Sequence, residues 1–170
     1  GFPTPGKDRM ATIREDLPGL FKPVLDRAAA AGSRVGLENW FQTCMMGLDH
    51  WAAMFEALPQ EHFGLNFDPS HLYWMGIDYL DAVREFADRI FHTHAKDCAI
   101  DDATLRRVGV QSAGWWRYTI PGTGRIDWGE YLGVLREIGF DGAVSNRHED
   151  KTFAPEEGFA TGIRHLRQWI

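Results

Sequence analysis

Short apolar runs alternate with longer helical stretches along the whole of this 170-residue chain, and that rhythm limits the fold more than any single motif does. Strands separated by helix-length segments return in the same direction, and they build a parallel sheet covered by helices. Strands are read at 34–38, 63–68, 89–94 and 142–147. Helices are expected over 12–31, broken near Pro18 and Pro23, and over 50–58, 78–88, 127–138 and 155–169. Four alanines followed by Gly32 read as a helix end with a glycine stop. Asp78 is a helix cap, Asp127 with Glu130 resembles a capping box, and Pro155 suits a first helical turn. Residues 97–126 form a long excursion with a short helix at 101–107. A doubly wound sheet and a (β/α) barrel both fit this order. No glycine-rich fingerprint follows any strand, so a dinucleotide or P-loop site has little support, and Gly122-Thr123-Gly124 reads as a tight turn.

Composition excludes some partners. The formal net charge is −6 and the isoelectric point about 5.6, without the basic footprint of a nucleic-acid binder. Cys44 and Cys98 form no framework and read as two reduced thiols. Residues 1–10 are polar and do not read as a secretory leader, and no apolar run approaches the roughly 18 residues that a membrane span needs. The expectation is a cytoplasmic protein with neither nucleic acid nor membrane as a partner.

Side chains alternate faces along a strand. Val35, Leu37, Leu65, Phe67, Phe91 and Val144 then point toward helices. Gly36, Glu38, Gly64, Asn66, Asp68, His92, His94, Ala143, Ser145 and Arg147 point the other way, giving one apolar face and one small or polar face. Glu38, Asp68 and His94 stand at the C-terminal ends of their strands, which carry the chemistry in barrels of this kind. Two carboxylates and an imidazole suit a divalent ion such as Mn²⁺, Mg²⁺ or Zn²⁺. His92, deeper on its strand, is expected to be a hydrogen-bonded core residue. Trp115, Trp116, Tyr118 and Trp128 either pack as a satellite cluster, stack on a sugar ring or seal an interface.

Longer motifs add a family resemblance. Residues 66–72, Asn-Phe-Asp-Pro-Ser-His-Leu, resemble an ordered segment of the xylose isomerase-like TIM-barrel family of sugar phosphate isomerases and epimerases. His92-Thr93-His94-Ala95-Lys96-Asp97 and the stretch from Gly114 to Trp128 are similar to two more of its segments, and Leu37-Glu38-Asn39 to the end of an earlier strand. The resemblance implies a (β/α)₈ barrel of which residues 1–170 supply the C-terminal half as one half-barrel domain, with about four parallel strands. It implies metal ligands at Glu38, Asp68 and His94, and Glu38 as the base that moves a proton next to a sugar carbonyl. His71 becomes a catalytic, substrate-orienting histidine, and Lys96, Arg117 and Arg147 become substrate contacts. The expected partner is a sugar or sugar phosphate.

One position departs from the family pattern. Where the family carries a fourth ligand glutamate, Ser145-Asn146-Arg147-His148-Glu149-Asp150 has Arg147, a fixed cation in place of a metal-binding anion. Three outcomes follow. The metal and its chemistry are lost, Glu149 swings in as a ligand, or Arg147 binds an anionic oxygen in a changed reaction. The rival to an isomerase or epimerase is therefore an inactive relative kept as a fold or assembly module. Cleavage at abasic DNA sites is disfavoured by the acidic charge. Four strands cannot close a barrel, so two half-barrels are expected to cover each other as a homodimer.

Overall fold

The computed structural model describes residues 1–170. Six strands form, β1 (Val35–Glu38), β2 (Phe63–Phe67), β3 (Ile90–Ala95), β4 (Asp97–Ile100), β5 (Trp116–Thr119) and β6 (Val144–Asn146). Four of them build one sheet in the order β1-β2-β3-β6, with β1 parallel to β2 and β2 parallel to β3. The helices between them are α1 (Arg9–Ala11), α2 (Leu17–Ala30), α3 (Leu48–Ala57), α4 (Pro69–Tyr73), α5 (Tyr79–Glu85), α6 (Asp102–Val108), α7 (Trp128–Glu137) and α8 (Pro155–Leu166). This is the α/β, TIM-barrel-like arrangement that the alternation implies.

The chain divides into two compact units, Gly1–Phe67 with Phe86–Thr93, and Asp68–Glu85 with His94–Ile170. In the first unit the helix before β1 is not broken at its prolines. Residues Thr12–Asp16 make a π turn joining α1 to α2, and the Leu17 N–H reaches the Thr12 carbonyl. A widened turn there accommodates Pro18, which has no N–H to return to the preceding turn. The core of this unit is aromatic. Trp51 packs edge-on against Phe67 and Phe86, with ring centroids 5.9 and 5.3 Å away, and Phe55 against Phe63. Burying side chains of this size contributes about 1.5–3 kcal/mol each.

One expectation of facing is corrected here. Phe91 does not join the helix-packed face. The β2–β3 register jumps from Leu65↔Ile90 to Asn66↔His92, so Phe91 is the extra residue of a bulge. Its ring lies over Gly64, where an added Cβ would come within 2.7 Å of it, and the Arg34 guanidinium covers its ring at 4.9 Å.

In the second unit the long excursion is more ordered than the sequence suggests. β4 and β5 pair antiparallel from Asp97↔Thr119 to Ile100↔Trp116, with α6 between them. Asp101 caps α6 through Ala103 and Thr104. α5 and α7 pack through Tyr79 and Tyr131, with Arg84 ion-paired to Glu137 at the surface. α8 approaches His148 on Gly158 and β6 on Gly162, where a Cβ would come within 2.6 Å of Asn146.

Candidate functional site

Asp68 ends β2 and begins α4, and one carboxylate serves both elements. Its Oδ1 accepts from the Ser70 N–H at 2.9 Å and the Ser70 hydroxyl at 2.6 Å, an N-cap with Pro69 in the first helical turn. The cap fixes the side chain so that Oδ2 faces three basic groups. Lys96 Nζ lies 3.1 Å away, His94 Nδ1 3.6 Å and His71 Nε2 3.7 Å. All four residues are buried. Burial alone pushes the Asp68 carboxyl up. The His94 hydrogen bond, the Lys96 charge, His71 and Ser70 outweigh it and leave the group below its usual value.

His71 sits one turn into α4 with both ring nitrogens engaged. Nδ1 is 2.6 Å from the Tyr118 hydroxyl and Nε2 is 3.1 Å from Lys96 Nζ. An ammonium has only donors, so a hydrogen bond between the two runs from Lys96 to Nε2. Burial raises the Tyr118 phenol above its usual value, which keeps it protonated. Lys96 is 1% exposed, its ammonium 4.2 Å above the Tyr118 ring, and it also reaches Glu149 Oε1 at 3.3 Å.

Arg147 turns to Glu149. Its Nε donates to Glu149 Oε1 at 3.0 Å, and its side chain is 43% exposed. The cation at the departing position is thus paired by the carboxylate two residues on, which Lys96 shares. Arg117 is half-exposed and donates to Asp150 Oδ2 at 2.6 Å. Asp150 also accepts from the Thr119 hydroxyl and from the Thr152 N–H and hydroxyl. Burial pushes its carboxyl up, but Thr119, Thr152 and Arg117 together carry it far below the ordinary carboxylate range. Glu38 ends β1 in register with Asn66, two residues before Asp68. Within the second unit Asp68 and His71 each offer one ligand atom, 3.7 Å apart.

Sequence reasoning did not find three of the supporting groups: Tyr118 as the partner of His71, and the buried carboxylates Asp97 and Asp150. Asp97 accepts from the backbone N–H of Cys98, Gly122, Gly124 and Ile126 and from the Trp128 indole. It fixes the Gly122–Gly124 turn, and the run of glycines was the only local sign of it. The aromatic stretch packs on α4 and its flank. Trp116 stacks on Trp74 at 4.2 Å with planes 7° apart, and Trp128 is buried.

A carboxylate and imidazoles are donors suited to a borderline divalent ion, so the donor chemistry of Asp68, His71 and His94 fits one. Comparison with known proteins identifies the family. The family model for the xylose isomerase-like TIM barrel matches residues 4–169. The uncharacterized protein YfiH of Bacillus subtilis (strain 168) is 32% identical over 161 residues, 88% of this chain and 51% of YfiH. Inosose dehydratase of Geobacillus thermodenitrificans (strain NG80-2) is 26% identical, over 69% of this chain and 41% of that protein. The chain thus spans about half the length of the curated relatives it matches. Among solved structures, a xylose isomerase domain protein from Planctomyces limnophilus superposes with a TM-score of 0.70 at 26% identity, covering 91% of this chain and 51% of that one. The IolI protein with a bound zinc atom gives 0.71 at 21%, covering 98% and 61%. The D-allulose 3-epimerase from a Methylomonas species, in complex with D-allulose, gives 0.69 at 15%, covering 99% and 58%. The last two show the fold alone. No helix is long and apolar enough to cross a membrane.

Proposed function

The chain belongs to the xylose isomerase-like TIM-barrel family, and on that premise we propose that it carries the C-terminal half of a site for metal-assisted proton transfer next to the carbonyl of a sugar or sugar phosphate. The observation that carries this reading is the Asp68 carboxylate, held by its own helix cap and facing the imidazoles of His71 and His94. Glu38, Asp68 and His94 would hold the ion, Mn²⁺, Mg²⁺ or Zn²⁺. A divalent ion at such a place supplies Lewis acidity to a carbonyl oxygen.

The chain's own residues do the rest. The Glu38 carboxylate takes the proton from the carbon beside the carbonyl, and return of a proton to that carbon or its neighbour gives epimer or isomer. Loss of a neighbouring hydroxyl after the same first step would be dehydration, the reaction named for one relative. His71 orients a sugar hydroxyl. We assign Lys96, Arg117 and Arg147 to oxygens carrying negative charge, and the Glu149 pairing of Arg147 lowers its repulsion of an ion. We place the protein in the cytoplasm and assign it a homodimer.

The competing reading is an inactive relative. Arg147 at the fourth ligand position and Lys96 against the Asp68 carboxylate favour it. One experiment separates the two. The protein is incubated in D₂O with Mn²⁺, Mg²⁺ or Zn²⁺ and a panel of ketoses and inososes, and deuterium at the carbon beside the carbonyl is followed by NMR. Wash-in that Asp68→Asn reduces by about 10²-fold or more, the scale of one catalytic group, supports the enzyme. No wash-in with any ion or substrate sinks it in favour of the fold module.

A further inference from the structure

The two atoms that an ion would need on α4 and at the end of β2 are already bound by the chain's own cation. Lys96 Nζ stands 3.1 Å from Asp68 Oδ2 and 3.1 Å from His71 Nε2. Those two atoms are 3.7 Å apart. An ion bonded to both at about 2.1 Å, the usual length for imidazole and carboxylate ligands, would lie at most roughly 3.5 Å from Nζ. Buried ammonium and divalent charges so close repel strongly. The His71 Nε2 lone pair, which a metal would use, also cannot serve both.

We propose that Lys96 is a displaceable internal cation, occupying the Asp68–His71 pair when no ion is bound and excluding a divalent ion until its side chain swings away. Three observations set it apart from a plain salt bridge. Its three N–H donors have Asp68, His71 and Glu149 as acceptors, so the ammonium satisfies a carboxylate and an imidazole as one cation in place of another. It is buried among them with its head over the Tyr118 ring. Glu149, unlike Asp68, is partly exposed, and so offers the displaced ammonium an acceptor closer to solvent.

The proposal rests on the reading that Asp68 holds a divalent ion, takes His71 as a further donor beside it, and the test keeps the two apart. Zn²⁺ and Mn²⁺ are titrated calorimetrically into the 170-residue protein, Lys96→Met, and Lys96→Met combined with Asp68→Asn. Lys96→Met, similar in length but uncharged, is expected to bind at least tenfold tighter than the starting protein, and the added Asp68→Asn to abolish the gain. Equal affinity in the starting protein and Lys96→Met overturns the displacement proposal and leaves the metal reading standing. Absence of binding in every variant overturns both.

Should Lys96→Met fail to fold by circular dichroism, the unaltered protein supplies the answer. Acetic anhydride labelling of Lys96, read by peptide mass, is expected to rise several-fold on Zn²⁺ saturation, with Lys7, Lys22 and Lys151 unchanged. Constant Lys96 labelling across a titration that loads Zn²⁺ overturns the proposal.

Discussion

Asp150 and Asp68 show how single buried carboxylates make this fold depend on acid. Both have carboxyls held below their usual range in the folded state, while an unfolded aspartate titrates near about 3.9. A depressed folded value stabilises the protein above the unfolded value, and the contribution is lost as pH falls through that value toward the folded one. The thermal midpoint is therefore expected to be level from about pH 7 to 5, then to drop as pH is lowered below about 4. Asp150→Asn, which has no carboxylate to protonate, should be less stable at pH 7 and show a shallower fall. Melting curves between pH 2 and 7 check this, and an equal slope in the variant would remove Asp150 from the account. The same residue holds Arg117, expected as a substrate contact, through Nη1.

Elements in this chain are placed by close approach as much as by propensity. Gly64 on β2 has the Arg89 carbonyl and the Phe91 ring where a Cβ would go, the carbonyl at 2.2 Å. The bulge on β3 thus depends on the absence of a side chain on its neighbour. Gly133 on α7 has nothing within 4 Å of a Cβ. The two positions should respond with opposite sign. Gly64→Ala is expected to cost about 2–3 kcal/mol by overpacking, whereas Gly133→Ala is expected to gain about 0.5–1 kcal/mol from helix propensity. Urea unfolding of both variants checks the pair, and a neutral Gly64→Ala would show that β2 and β3 shift freely. Helix caps were the most readable element features. Asp127 accepts from the Glu130 N–H and Asp78 from the Leu80 and Asp81 N–H, as their spacing suggests. The β4–β5 ribbon was not readable, because its strands are four residues each and are separated by a helix.

At the scale of the molecule, β1 and β6 stand last in the sheet order, and the outer edge of a terminal strand is a surface that natural proteins cover. Leu20 and Val24, one turn apart on α2, are exposed apolar side chains. With a second copy covering these features, size-exclusion chromatography with light scattering should return twice the 19.3 kDa of one chain. A stable, folded monomer at micromolar concentration would end the dimer assignment.

The sequence by itself determined the α/β alternation, the parallel strands and the placing of Glu38, Asp68 and His94 at strand ends. Apolar periodicity and local capping act over a few residues, so they are written in the order of the chain. The tertiary structure alone decided where the cations go. Arg147 could be seen to replace a carboxylate, but not that Glu149 would pair with it, nor that Lys96 would lie against Asp68 and His71. The Lys96 contacts join residues 25 to 53 positions apart. They arise because buried charges must find partners in low dielectric, a demand that is set only once the chain has folded around them.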